Sequence, residues 1–270
     1  MHVSVDSIPS SCLGRIGLAV GLLLLVPLMM QIGCASGGDP RSPAVVSRIR
    51  ESSVLLGIPD RFTYSSATAL GGRVVLTTRH STEGRPDPAL FWHPRAGVFV
   101  AESMQRGNGE IPPDSEMRSI AQFLERSTRD WRVIRVPADV PRSSPAAEIA
   151  PVRVAPGGRL RSGDVLLVGG HLVAAPATSD SLEEETTFRL GYGEVIECTP
   201  EGIIKYRSLG GDPIDSGMSG GPIFTLVEGE PFLVGITIGE YNRFLSGTTE
   251  VGLCIPHEVV EFLAIVHEHQ

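Results

Sequence analysis

The stretch Gly217-Met218-Ser219-Gly220-Gly221-Pro222-Ile223-Phe224 decides how the rest of the 270-residue chain is read. A serine stands among glycines, and a proline-led apolar run follows at once. A serine hydroxyl is a poor nucleophile at neutral pH unless a base takes its proton as it attacks. The stretch therefore asks for a base elsewhere in the chain, and for an acid to orient that base.

Upstream, Val74-Val75-Leu76-Thr77-Thr78-Arg79-His80-Ser81 puts His80 just past the end of an apolar strand, a loop position from which a side chain reaches a cleft. Between the two, Arg129-Asp130-Trp131-Arg132-Val133-Ile134 sets Asp130 at the mouth of another strand. The order is His, Asp, Ser, with gaps of 50 and 89 residues. Blander readings stay open beside this one. Ser219 is also an acceptable turn residue in a glycine-rich hairpin, His80 an acceptable surface histidine, and Asp130 an acceptable strand cap, with Asp114 and Asp139 nearby.

Composition narrows the class. Hydrophobic residues make up 41% and charged residues 20%, the mix of a folded globular chain. With 31 acidic against 23 basic side chains the net charge is -8, which speaks against nucleic acid and anionic headgroups as general partners. The 31 glycines and 21 prolines favour short strands and turns, so a mostly β protein is expected. Strand-type runs occur at 53–58, 67–70, 73–78 and 89–92, and again at 165–169, 192–197, 203–206, 222–227 and 233–239. Helical spacing marks 115–126, behind a Ser115 cap, and a closing helix after Pro256 with Val259, Phe262, Leu263 and Val266 on one face. Five prolines between 137 and 157 mark a linker between two halves.

Residues Ile16 to Ile32 form an apolar run behind Arg15 and ahead of Gly33-Cys34-Ala35-Ser36, the layout of an export signal. Gln31-Ile32-Gly33-Cys34 resembles a lipobox, although Gln31 stands where leucine is usual. Lipidation of Cys34, plain cleavage nearby, and retention as a membrane helix all fit the segment. Each places the remainder outside the cytoplasm, in the cell envelope, either lipid-anchored or secreted and periplasmic. Cys198 and Cys254 then lie in a compartment that permits disulfides, and read either as a pair or as two buried small residues. The histidines and cysteines make no zinc-type spacing, and His267-Glu268-His269 reads as a solvated tail, so no metal or other cofactor is expected.

Taken together, the three segments resemble those of trypsin-like, chymotrypsin-fold serine endopeptidases. The resemblance covers roughly residues 50 to 266. Ser219 matches the nucleophile in G-x-S-G-G-P, His80 the base in T-A-x-H, and Asp130 the acid. Without the animal enzymes' cysteine set, the chain is more similar to bacterial members of the glutamyl-endopeptidase and HtrA types. The resemblance implies an all-β fold of two antiparallel six-stranded barrels of chymotrypsin type with a C-terminal helix. Its domains are a signal peptide at 1–33, a tether at 34–44, an N-terminal β-barrel at 45–140, a linker at 141–157, and a C-terminal β-barrel with the terminal helix at 158–270. It implies a His80-Asp130-Ser219 triad acting on a protein or peptide substrate, and an oxyanion hole from the Gly217 and Ser219 amides. Pro213, Thr237, Ile238 and Gly239 fall at substrate-binding positions.

Departures from the family pattern bear on regulation and specificity. Met218 replaces the aspartate that receives a freed N-terminus in animal members. Thr78 replaces the usual alanine before the histidine, and Pro213 stands where trypsin has its selecting acid, leaving basic specificity unsupported although Asp212 and Asp215 lie close. Thr237 stands where glutamate-specific members often carry histidine. Two rival readings are a protease-fold envelope binding protein without activity and an α/β-hydrolase esterase. The second requires a helix directly after the serine and a downstream acid and histidine, whereas Pro222 opens a β-run here.

Overall fold

Ser42 and Pro43 start the first helix: the serine side chain caps it by accepting the Val45 amide, and proline occupies the first turn, where its missing N–H costs nothing. The structure, a computed structural model, describes residues 39–58, 63–71, 73–82, 89–93, 97–108, 119–135, 153–154, 160–173, 186–212, 215, 217–243 and 247–268. The export-type segment, Cys34 and Pro213 lie outside these residues. Among the described residues no helix is long and apolar enough to cross a membrane.

Among the described residues three helices and twelve strands follow in chain order. Helix α1 (Pro43–Ser52) precedes β1 (Ser53–Ile58), β2 (Thr63–Gly71), β3 (Val74–Thr77), β4 (Ala89–His93), β5 (Gly97–Arg106), α2 (Ile120–Ser127) and β6 (Arg132–Arg135). Then come β7 (Val165–Val173), β8 (Thr186–Cys198), β9 (Ile203–Gly211), β10 (Pro222–Val227), β11 (Glu230–Arg243), β12 (Gly247–Cys254) and α3 (His257–Glu268). The fold is mostly β, as the glycine and proline content implies.

Strands β7 to β12 form a closed barrel in the order β10-β11-β12-β9-β8-β7, sealed where Ile223 and Phe224 of β10 pair with Val168 and Leu167 of β7. The first six strands form a sheet in the order β1-β2-β3-β6-β5-β4. Its edge strands β1 and β4 approach one another, but no ladder joins them among the described residues, so the expected second barrel is present as a six-stranded sheet.

Helix α1 was expected as tether and barrel. Val45 and Ile49 recur at helical spacing behind the Ser42-Pro43 start and face inward. Ile49 is fully buried and sits over Gly169 of β7, where a Cβ would meet its side chain. Burying such a side chain is worth roughly 2 kcal/mol, and it seats α1 against both sheets. Helix α2 is capped by Ser119, whose side chain accepts the Gln122 amide at 3.2 Å, rather than by Ser115. Helix α3 follows Pro256 as expected and buries Val259 and Leu263.

Candidate active site

Antiparallel pairing of β3 with β6 brings the first two candidate residues together. Thr77 lies opposite Arg132, so the chain leaving β3 runs beside the chain entering β6. His80 and Asp130 therefore meet although 50 residues separate them. Asp130 is fully buried. Its Oδ1 accepts the His80 backbone N–H at 2.8 Å, and its Oδ2 lies 2.5 Å from His80 Nδ1. An ionised carboxylate only accepts, so Nδ1 carries the proton and Nε2 keeps its lone pair. Burial by itself would raise the Asp130 pKa. The hydrogen bonds and charge of His80, together with Arg126, outweigh it and hold the carboxyl below the ordinary aspartate value. Arg126 Nη2 is 3.9 Å from Oδ2.

Ser219 lies in the turn between Asp215 and β10, in a segment whose backbone requires glycine. Gly217 has φ +99° and Gly220 φ +85°, both in the left-handed region. A Cβ on Gly220 would also collide with Ser66 O and Thr77 Oγ1. Met218 turns inward, fully buried, and packs over Gly170. The Gly220 N–H donates to Thr237 O at 2.7 Å, and the Thr237 N–H to Gly221 O at 2.9 Å, lacing the turn to β11. The Met218 and Gly221 amides bond to Asp215 O and Met218 O. Among the described residues the Gly217 and Ser219 amides, those assigned to the oxyanion hole, have no such partner.

Ser219 Oγ donates to Ile238 O at 3.0 Å. Among the described residues no hydrogen bond joins it to His80, so the structure brings His80 and Asp130 into contact and leaves the serine hydroxyl turned to β11. The substrate-side residues divide similarly. Thr237 is buried with its backbone tied to the serine turn, Ile238 supplies the carbonyl that holds Oγ, and Gly239 is partly exposed.

A set of hydroxyls that the motifs do not reveal ties the histidine side to the serine side. Ser65 Oγ and the Ser66 N–H both donate to Ser219 O, at 2.6 and 3.0 Å. Ser66 Oγ donates to Gly217 O at 2.9 Å, and Thr68 Oγ1 to Gly220 O at 2.9 Å. Because Ser65 spends its one proton on Ser219 O, it accepts from Ser81 Oγ at 2.6 Å, and Ser81 in turn accepts from Thr78 Oγ1 at 2.5 Å. The neighbour of His80 is thus linked, through one hydroxyl of β2, to the main chain of Ser219. His171 completes the junction: its N–H donates to Ser66 Oγ at 2.8 Å, and burial lowers its pKa. The signal for this junction was the run Thr63-Tyr64-Ser65-Ser66-Ala67-Thr68, unusually rich in hydroxyls for a buried strand.

Cys198 and Cys254 form no disulfide, and their Sγ atoms lie 3.6 Å apart. Among the described residues no group of three metal-ligating side chains comes together.

No protein-family model matches the chain. No curated protein sequence matches it. Solved structures do. The Rv3671c protein of M. tuberculosis H37Rv, in an inactive form, aligns at 15% identity with TM-score 0.49, covering 86% of this chain and 96% of that one. The HtrA-type protease AlgW with a decapeptide aligns at 18% identity and TM-score 0.42, covering 76% of this chain and 52% of that one. A variant of AlgW with a tripeptide aligns at 16% identity and TM-score 0.48, over 83% and 63%. This chain therefore spans about half to two-thirds of the AlgW chains.

Proposed function

We propose that the chain is a serine endopeptidase of chymotrypsin-type architecture, acting on protein or peptide through Ser219, His80 and Asp130. The observation that supports this reading is the buried Asp130 carboxylate holding both the backbone and the ring of His80, which leaves Nε2 as a base. In the proposed reaction the Ser219 hydroxyl turns from Ile238 O to Nε2 and gives up its proton while Oγ adds to the amide carbon. Asp130 stabilises the imidazolium formed. The Gly217 and Ser219 amides receive the negative oxygen, where one donor is worth ~3 kcal/mol in the transition state. The imidazolium then protonates the leaving amine, an acyl ester remains on Oγ, and water repeats the sequence in reverse.

A fluorophosphonate probe on the full chain tests this. Wild type is expected to label on Ser219, with labelling lost in Ser219→Ala. Persistent labelling of that variant would assign another nucleophile, and an unlabelled wild type would favour a binding protein on this architecture. The Ser219–Ile238 hydrogen bond is the observation on that side. Export, with lipidation of Cys34 as the anchor, is proposed on the N-terminal pattern alone. Cys34→Ser is expected to release the protein from membranes, and retention of the variant would contradict the lipid anchor.

A further inference from the structure

Asp130 is held by more than the histidine. Helix α2 ends in a run of tight turns, in which the Thr128 N–H donates to Glu125 O at 3.3 Å, the Arg129 N–H to Arg126 O at 2.9 Å and the Asp130 N–H to Ser127 O at 3.3 Å. Arg126 and Asp130 therefore stand four residues apart on one hydrogen-bonded stretch, with side chains 6% and 0% exposed. Phe123 of the same helix meets Tyr241 of β11 edge-on, ring centres 6.2 Å apart, and Ser127 Oγ donates to Phe123 O at 2.8 Å. The stretch is thus fixed on one side by the packing of α2 against β11 and on the other by the start of β6.

Such a place is unfavourable for an anion. It is buried, and it follows the C-terminus of a helix, whose carbonyls repel negative charge. In the resting state His80 supplies a hydrogen bond and no full charge, because a ring that acts as base is neutral there. A guanidinium is charged at every working pH. Arg126 Nη2 lies 3.9 Å from Oδ2, the oxygen that His80 Nδ1 faces at 2.5 Å. The cations next to these residues in the chain are committed elsewhere: Arg129 Nη2 donates to Glu125 Oε1 at 3.2 Å, and Arg79 Nη1 to Gly107 O at 3.1 Å. Among the described residues the charged groups that face Asp130 are His80, from the chain leaving β3, and Arg126, from α2. Burial raises the Asp130 pKa, and His80 and then Arg126 more than reverse it.

We propose that Arg126 is a positioning residue of the triad, the standing counter-charge that keeps Asp130 ionised while His80 is neutral and so extends the reaction to lower pH. The assignment rests on the peptidase reading above. Without the guanidinium, the carboxylate gains a cation by drawing a proton onto Nε2 of His80, and a ring in that state accepts nothing from Ser219. With it, the two buried charges already balance, the ring gains less by protonation, and the base survives in more acidic solution. At alkaline pH the ring is neutral with or without Arg126. The charge at position 126 therefore acts on the rate in acid and not in alkali.

Fluorophosphonate labelling of the full chain from pH 5 to pH 9 tests this in wild type, Arg126→Gln and Arg126→Lys, with circular dichroism verifying the fold. In Arg126→Gln the acid limb of the rate profile is expected to move up by about one pH unit, which makes labelling about tenfold slower at pH 5, while the rate at pH 9 stays within about threefold of wild type. Arg126→Lys, which keeps the charge, should follow wild type. An unshifted limb in Arg126→Gln, a loss of equal size at every pH, or a limb moved as far by lysine overturns the assignment. Urea unfolding at pH 7 supplies a readout that needs no activity. Arg126→Gln is expected to raise the unfolding constant by ~100-fold, and the further change Asp130→Asn to raise it no more. Losses that multiply overturn the counter-charge. Should Arg126→Gln misfold, a folded double variant decides in favour, and a double variant that also misfolds decides against. A labelled wild type with an unshifted Arg126→Gln profile keeps the peptidase and loses the role of Arg126. An unlabelled wild type overturns the peptidase, and urea unfolding then decides whether Arg126 balances Asp130.

Discussion

Replacing Asp130 by asparagine changes one atom of a fully buried side chain, and the structure allows its effect to be worked out. Oδ1 stays an acceptor, so the His80 backbone contact at 2.8 Å survives. At the Oδ2 position an NH2 group would face Nδ1, where the ring now donates. The imidazole is then stable with Nδ1 accepting and the proton on Nε2, the wrong tautomer for deprotonating Ser219. The expected loss in the phosphonylation rate constant is ~10⁴-fold, which is about 5.5 kcal/mol in the barrier. Folding loses less, about 1.5–3 kcal/mol for the charge-assisted bond. Stability should also change its pH dependence. Because the Asp130 pKa is lowered on folding, its contribution is present above the ordinary aspartate range and is lost as pH falls through the folded value. Asp130→Asn should flatten that acid limb in urea titrations. Labelling of the folded variant within about tenfold of wild type would refute the reasoning.

Other perturbations follow from the junction and the turn. Ser66→Ala removes the donor to Gly217 O and the acceptor for the His171 amide, so chemical denaturation should show a loss of about 2–4 kcal/mol together with slower labelling. Gly220→Ala places a Cβ into Ser66 O and Thr77 Oγ1 at φ +85°, and should cost at least about tenfold in labelling rate even where the protein still folds. With oxidised glutathione, Cys198 and Cys254, 3.6 Å apart, should close to a disulfide. Cys198, whose pKa the contact with Cys254 lowers to about 7, is the attacking thiolate. Mass spectrometry should show the bridge, and the stability gain should be about 4 kcal/mol, absent in Cys198→Ser.

What could be read in advance depended on how local the cause was. The strand at 53–58, the serine turn with its proline-led strand and the closing helix after Pro256 all follow from nearby residues. The proximity of His80 and Asp130 was legible only as order and spacing, because the β3–β6 register that creates it is a tertiary pairing. Helix α1 falls across the expected tether and the start of the expected barrel, because its apolar face is only Val45 and Ile49 and is stabilised by burial against the sheets. The hydroxyl junction was invisible for a related reason: a serine in a strand declares no partner, and Ser65 and Ser66 acquire theirs from a turn some 150 residues away.

The central claim, that Ser219, His80 and Asp130 act as one unit, is tested most directly by comparing Ser219→Ala, His80→Ala and the double variant in hydrolysis of an activated ester. The account predicts that each single change costs on the order of 10⁶ in kcat and that the double variant is no slower than either. Losses that multiply in the double variant, or a His80→Ala protein that hydrolyses the ester at the wild-type rate, would contradict it.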